Sequence, residues 1–211
     1  MLIQQELQHI ISQQIEIPDD QLRESVRSLN KMQRKAYDIV VSWSRNKIKN
    51  LKSLKPENIQ PIYLFITGGA GAGKSHLIRT IYHTIVKTFR YPPINPEKPI
   101  VLLTAPTGVA AINIDGTTIN TAFAIPKYTK ENELPGMSDQ KRTQMRLLLS
   151  ELKLIIIDEI SMVANVTLLH IHQRLKEIFA SYYQLTTFCW YKYHCCWRFI
   201  SITTNSQESS F

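Results

Sequence analysis

The chain has 211 residues, 44% of them apolar, enough for one buried core, and a formal charge of +8 that points toward polyanionic partners. No apolar run approaches the roughly 18 residues of a membrane span. Met1-Leu2-Ile3-Gln4-Gln5-Glu6 lacks the basic start and apolar stretch of a secretory signal, so an intracellular globular protein, monomeric by default and without a membrane partner, is expected.

Residues 1–22 read as a short amphipathic helix, ended where Ile17-Pro18-Asp19-Asp20 favours a break. Between Arg23 and Lys55, ten Lys and Arg are opposed only by Glu24 and Asp38. That run is either a solvated helix face with a basic linker or a surface that contacts phosphates. From Asn30, the apolar positions Ala36, Ile39, Val40 and Trp43 recur at helical spacing, and residues 46–60, basic and holding Pro56, read as a loop. Residues 62–66 form an apolar run typical of a strand covered on both faces. Glycines follow, then a helix over 74–89, a loop over 91–99, strands at 100–103 and 154–157, and a helix over 165–179. Buried strands alternating with helices predict an α/β fold with a parallel sheet and helices on both faces. There are no internal repeats.

The strongest motif is Gly68-Gly69-Ala70-Gly71-Ala72-Gly73-Lys74-Ser75, a P-loop placed after a buried strand and at the start of a helix. Its glycines let successive backbone N–H groups curl around phosphate oxygens. The helix N-terminus, through Lys74, Ser75 and His76, adds unpaired donors and partial positive charge. Lys74 is expected at the β- and γ-phosphates of ATP and Ser75 on magnesium. Asp158-Glu159 follows four apolar residues, as an acidic pair does at the end of a central strand. Asp158 is expected to hold magnesium, directly or through water, and Glu159 to deprotonate the attacking water.

These two motifs define an NTPase without saying what it drives. The segment Ala105-Pro106-Thr107-Gly108-Val109-Ala110-Ala111, continuing to Gly116-Thr117-Thr118-Ile119-Asn120-Thr121-Ala122-Phe123, discriminates further. With Leu29-Asn30-Lys31-Met32-Gln33 and Asp158-Glu159-Ile160-Ser161-Met162, the chain resembles the petite-integration-frequency (Pif) family of superfamily-one DNA helicases, Helitron-borne relatives included. The resemblance covers about residues 24–180. It implies a RecA-like first motor domain over 23–180, incomplete here, with ATP and magnesium as cofactors and single-stranded DNA and DNA junctions as partners. It also implies roles in repair, recombination and telomere maintenance, in the nucleus or the mitochondrion. By the same likeness Gln33 reads the adenine edge, while Thr104, Pro106, Thr107, Gly108 and Thr118 touch the single strand. Phe123 is either a stacking face or a core phenylalanine. Asn120 and Thr121 stand where the family has His-Ser, which removes a titratable group from that DNA-facing position. A nucleotide- or DNA-holding remnant of a transposon-borne helicase is the alternative, and the Ala105–Ala111 block disfavours AAA-type and kinase-type proteins.

After Phe179 the composition changes. Cys189, Cys195 and Cys196 cluster with Trp190, Trp197 and His194, without the paired spacing of a zinc site. Back-translated with permitted codons and read one nucleotide later, residues from 188 onward give F-A-G-I-N-I-I-V-V-G-D-L-Y-Q-L-P-P, the family's continuation. Tryptophan has a single codon, so Trp190 and Trp197 each force a glycine in that frame. The sequence therefore predicts a frameshift near residue 180 and a tail, 181–211, with little stable structure, because its pattern was not selected to pack. A chain truncated in this way is expected to bind ATP weakly, hydrolyse it slowly and not unwind duplex.

Overall fold

The computed structural model describes residues 17–55, 59–60, 62–90, 95, 98–127, 133–179 and 199–203, the last five as backbone. Helix α1 (Asp19–Arg27) is followed by α2 (Lys31–Leu51), strand β1 (Tyr63–Thr67) and helix α3 (Lys74–Phe89). Then come β2 (Val101–Ala105), α4 (Gly108–Asn113), the two-residue β3 (Thr117–Thr118), α5 (Ile119–Ala122), α6 (Asp139–Leu148), β4 (Leu154–Ile157), α7 (Asn165–Phe179) and β5 (Phe199–Thr203). The five strands form one sheet in the order β1-β5-β4-β2-β3, and every pairing is parallel.

The pleat of the sheet sorts the core into two layers. On one face Val101, Leu103, Ala105, Leu154 and Ile156 meet Leu77, Ile78, Ile81 and Ile85 of α3 and Val40, Val41 and Trp43 of α2. On the other face Leu102, Ile155 and Ile157 meet Phe123, Met145, Leu148, Ile171, Leu175 and Ile178. Helices thus cover both faces, as the alternation of elements implies. Gly116 lets the chain turn tightly into β3, because a Cβ there would lie 2.7 Å from the Leu103 carbonyl oxygen. Buried Arg174 donates to the Pro135 carbonyl at 2.8 Å and pairs with Glu177, whose carboxylate also accepts from Met137 N–H, so α7 holds the 135–137 segment.

Several expectations need correction. Residues 1–16 lie outside the described residues; the break expected at Ile17-Pro18 is present, but Asp19 and Asp20 already open α1. Pro beside the helix start and acids in the first turn are the signature of an N-terminus. The basic stretch over 46–51 continues α2 instead of forming a loop, since no breaker precedes Pro56 and Ile48 still packs on the core. Ile39 is exposed, and the buried stripe of α2 is Tyr37, Val40, Val41, Trp43 and Ser44. Strand β1 is not covered on both faces: Tyr63 and Phe65 are 49% and 60% exposed. Most of the tail lies outside the described residues, yet Phe199–Thr203 runs as a strand between β1 and β4, with Phe199 in register with Tyr63 and Ile155. The alternating Phe-Ile-Ser-Ile-Thr pattern has strand propensity whatever frame it came from.

Candidate nucleotide site

Because all strands are parallel, the turns after β1, β2 and β4 emerge along one edge of the sheet, where open α/β sheets place their ligands. Those turns are the glycine loop, Pro106-Thr107 and Asp158-Glu159.

The glycine loop is built on two left-handed residues, Gly71 at φ 73° and Gly73 at φ 76°. Helix α3 starts directly after it, and its first backward hydrogen bond runs from Leu77 N–H to the Gly73 carbonyl. The amides of Lys74, Ser75 and His76 therefore lack intrahelical acceptors and face the loop's concavity. The Lys74 ammonium donates to the carbonyls of Gly68 at 2.9 Å and Gly69 at 2.8 Å, which draws the cation back over the loop.

Gln33 is the brace of this loop. The Asn30 side chain accepts from the Met32 and Gln33 amides, and the Gln33 side-chain carbonyl accepts from Asn30 N–H, closing a capping box at the head of α2. The other end of the same amide donates to the carbonyls of Ala72 at 3.0 Å and Gly73 at 3.2 Å. A Cβ on Gly73 would lie 2.5 Å from Gln33 Nε2, so residue 73 must be glycine for both backbone angle and space. Gln33 thus positions the P-loop. A cavity of about 410 Å³ opens beside it, lined by Gln33, Ala36, Ile39, Phe65 and Lys74 among others.

Asp158 is 5% exposed at the end of β4. Its backbone N–H donates to the Thr104 carbonyl at 2.8 Å, and its Oδ1 accepts from Glu159 N–H at 3.0 Å. Burial pushes its carboxyl above the ordinary value. The Glu159 N–H bond opposes this, the Glu159 charge adds to it, and the Lys74 cation opposes it, so the acidic pair and the P-loop lysine share one electrostatic site. Glu159 sits at a left-handed φ of 53°, the kind of backbone strain that clusters at functional sites. A buried carboxylate with one oxygen already hydrogen-bonded suits a hard divalent cation, and Ser75 of the P-loop, at the same edge of the sheet, adds a hydroxyl oxygen.

His76 sits at the start of α3, but its Nε2 lies 2.9 Å from Ser28 Oγ. That hydroxyl spends its one proton on the Ser25 carbonyl, so the imidazole Nε2 donates and ties α3 to the end of α1.

The expected DNA-contact residues divide. Pro106, Thr107 and Gly108 form an accessible turn, in which the Thr107 hydroxyl caps α4 by accepting from Ala110 N–H at 3.2 Å. Thr104 is fully buried, its hydroxyl donating to the Ile156 carbonyl at 3.0 Å, so it joins β2 to β4 and cannot touch a ligand. Phe123 is likewise fully buried, in the core beneath the sheet, which excludes a stacking role. Thr118 caps α5 by accepting from Thr121 N–H. Asn120 donates to the carbonyls of Ile125 at 3.2 Å and Pro126 at 3.4 Å, holding the turn after α5.

Two features escape a reading of motifs. Val109 and Ile112 are 73% and 75% exposed beside the Pro106–Gly108 turn, although their spacing suggests a core stripe. Arg79 of α3 donates to the Asp115 carboxylate at 2.8 Å and to the Asn113 carbonyl, clamping the P-loop helix to the end of α4.

A glycine loop opening a helix, a buried strand-end aspartate and a parallel sheet that presents both at one edge define a P-loop nucleotide-binding α/β domain. The comparisons narrow this further: residues 28–188 match the PIF1-like helicase family, and the chain belongs to it. The ATP-dependent DNA helicase PIF1 of Candida albicans is 32% identical over 149 residues, covering 65% of this chain and 15% of that protein. The ATP-dependent DNA helicase PIF5 of Trypanosoma brucei brucei is 41% identical over 85 residues, 37% of this chain and 8% of its own length. The crystal structure of the Candida albicans Pif1 helicase shares the fold, with a TM-score of 0.55 at 22% identity, covering 83% of this chain and 32% of that one. The chain thus spans a minor part of the relatives it matches.

Two outcomes follow. Gln33→Ala should weaken ATP and GTP binding by a similar factor, about tenfold for the two hydrogen bonds to the loop that are lost along with the capping box. A loss confined to ATP would show that the amide reads the base. Asp158→Asn keeps the acceptor for Glu159 N–H and removes a buried charge. The folded-state value of Asp158 is raised above the unfolded 3.8, so ionisation at neutral pH disfavours the fold. In urea titrations at pH 7 the Asn variant should therefore outlast the parent, with the gap closing as the pH falls toward 3.8; a less stable variant at pH 7 contradicts this account.

Proposed function

We propose that the chain is the ATP-binding part of a PIF1-like DNA helicase, which couples ATP hydrolysis to movement along single-stranded DNA and to duplex unwinding. The observation that carries this reading is the shared edge of the parallel sheet, where the P-loop, the Asp158-Glu159 turn and the Pro106–Gly108 turn all emerge. The family supplies the reaction class. Repair, recombination and telomere maintenance at DNA junctions, in the nucleus or mitochondrion, belong to the same proposal.

In this mechanism the amides of Gly69 to Ser75 and the Lys74 ammonium receive the β- and γ-phosphates, Lys74 exchanging the Gly68 and Gly69 carbonyls for phosphate oxygens. Ser75 and Asp158 would hold magnesium, which neutralises phosphate charge when bound. Glu159 accepts the proton of the water that attacks the γ-phosphorus, and the bond to the β-phosphate oxygen breaks to leave ADP and phosphate. The backbone N–H groups and hydroxyl of the 106–108 turn suit DNA phosphates without reading bases, and exposed Val109 and Ile112 offer apolar contact to sugars and bases. The Arg79–Asp115 pair joins the P-loop helix to the end of α4, the helix that begins at the 106–108 turn.

The change of composition after Phe179 favours a second reading, a remnant of a transposon-borne helicase that holds its ligands without turnover. It accompanies our proposal of a frameshift near residue 180, which transcript sequencing tests: an uninterrupted frame without the shifted G-D-x-x-Q-L-P-P overturns it. DNA-stimulated ATP hydrolysis by the 211-residue chain supports the motor, whereas binding of both ligands without turnover supports the remnant. For the sites themselves, Lys74→Ala should weaken ATP binding at least about tenfold and leave single-strand binding within about twofold. Thr107→Glu should do the reverse. Equal ATP affinity for the parent and Lys74→Ala would defeat the assignment.

A further inference from the structure

The exposed face of α2 carries a row of cations that begins beside the nucleotide cavity, which Lys35 helps to line, and runs along the helix away from it. At about 100° per residue, Lys31, Lys35, Arg45 and Lys49 fall within one sector about 80° wide, and all four are exposed. Ser42 lies between the two pairs. The opposite face is fixed to the core by Tyr37, Val40, Val41 and Ser44. At about 1.5 Å per residue the row runs roughly 27 Å along a single rigid helix.

The arrangement is not that of an ordinary solvated helix face. Such a face alternates signs, so that i,i+4 neighbours attract. Here Lys31 with Lys35, and Arg45 with Lys49, are like-charged i,i+4 pairs, which disfavour the isolated helix. The acid on this face, Asp38, is taken by Arg34 at 3.4 Å. Arg34 itself also donates to the Val26 carbonyl at 2.9 Å and lies over the Tyr37 ring. The row thus keeps its charge.

We infer that this face of α2 is a docking surface for the phosphate backbone of duplex DNA, separate from the single-strand turn at 106–108. A straight, rigid row suits a rigid polyanion. Over about 27 Å a duplex presents on the order of 16 phosphate charges, far more than the four cations need. Neutralisation by four side chains releases counterions, so the contact is sequence-independent and strongly salt-dependent. The same helix carries Gln33 at its head, which places the surface on the element that braces the P-loop.

The test is fluorescence anisotropy of a labelled blunt duplex and a labelled single strand against the full chain without nucleotide, from 50 to 200 mM salt, so that failure of the ATPase reading has no bearing on it. Quadruple variants Lys31→Gln, Lys35→Gln, Arg45→Gln, Lys49→Gln, and the corresponding Glu series, are compared with a control set, Lys127→Glu, Lys141→Glu, Lys153→Glu, Lys176→Glu. Circular dichroism verifies folding of each, and the milder Gln series serves if the Glu series does not fold. The expected result is duplex binding weakened more than tenfold, with the slope of log K against log salt flattened by about three to four. The control set should change duplex binding less than threefold. Unchanged duplex affinity and slope in the Gln series overturn the proposal, as does an equal loss in the control set or a loss confined to the single strand. Binding of the parent to phosphatidylserine vesicles but not to the duplex also overturns it.

Discussion

The side-chain amide of Gln33 joins the head of helix α2 to the nucleotide loop, and the loop's geometry depends on that junction. Its carbonyl closes the capping box on Asn30, while its nitrogen donates to the carbonyls of Ala72 and Gly73. A helix end and a glycine turn, each poor in hydrogen bonds on its own, satisfy one another through a single planar group. The left-handed Gly73 is then required twice over, by its φ of 76° and by the amide packed where a side chain would stand. Since α2 is anchored to α3 through Tyr37, Val40, Val41 and Trp43, the loop inherits the rigidity of the core. Preorganised donors of this kind bind charge without reorganising, which is what phosphoryl transfer asks of a protein.

The parallel sheet supplies the rest by geometry alone. Turns distant in sequence reach one edge because every strand points the same way, and two apolar layers bury the strands between helices. Function interrupts this packing at Asp158. A carboxylate held at 5% exposure works against the fold at neutral pH, and its raised titration follows from that burial. The Glu159 amide and the Lys74 cation offset part of the penalty, and both belong to the same site. The backbone strain at Glu159 is a second local sacrifice of the same kind.

Much of this was legible in the residues. The glycine loop, the strand-end acids and the α/β alternation each follow from short patterns with one physical meaning. The misreadings arose where one signal has two meanings. Pro18 with two acids marks both a break and the start of the helix that follows it, and α1 buries no side chain whose periodicity would show the start. Thr104 belongs to a DNA-facing motif by position, but its hydroxyl bonds the Ile156 carbonyl inside the sheet, whereas Phe123 takes the core place that was one of its two readings. The family pattern locates the motif without saying which of its members face outward. Helices α4, α5 and α6 are short or weakly periodic, so hydrophobic spacing alone did not mark them. Strand β5 went unpredicted because its segment departs from the family pattern, while local propensity and the place between β1 and β4 suffice to hold a strand.

A member of the PIF1-like helicase family is expected to gather ATP at this edge, and the central claim is local enough to be watched directly. In two-dimensional ¹H–¹⁵N spectra of the labelled chain titrated with ATP and magnesium, shifts should concentrate at Gly68 to His76, Asp158 and Glu159. The Gln33 side-chain amide signals should move with them. A folded chain whose Gly68 to His76 amides stay unmoved at millimolar ATP would contradict the account.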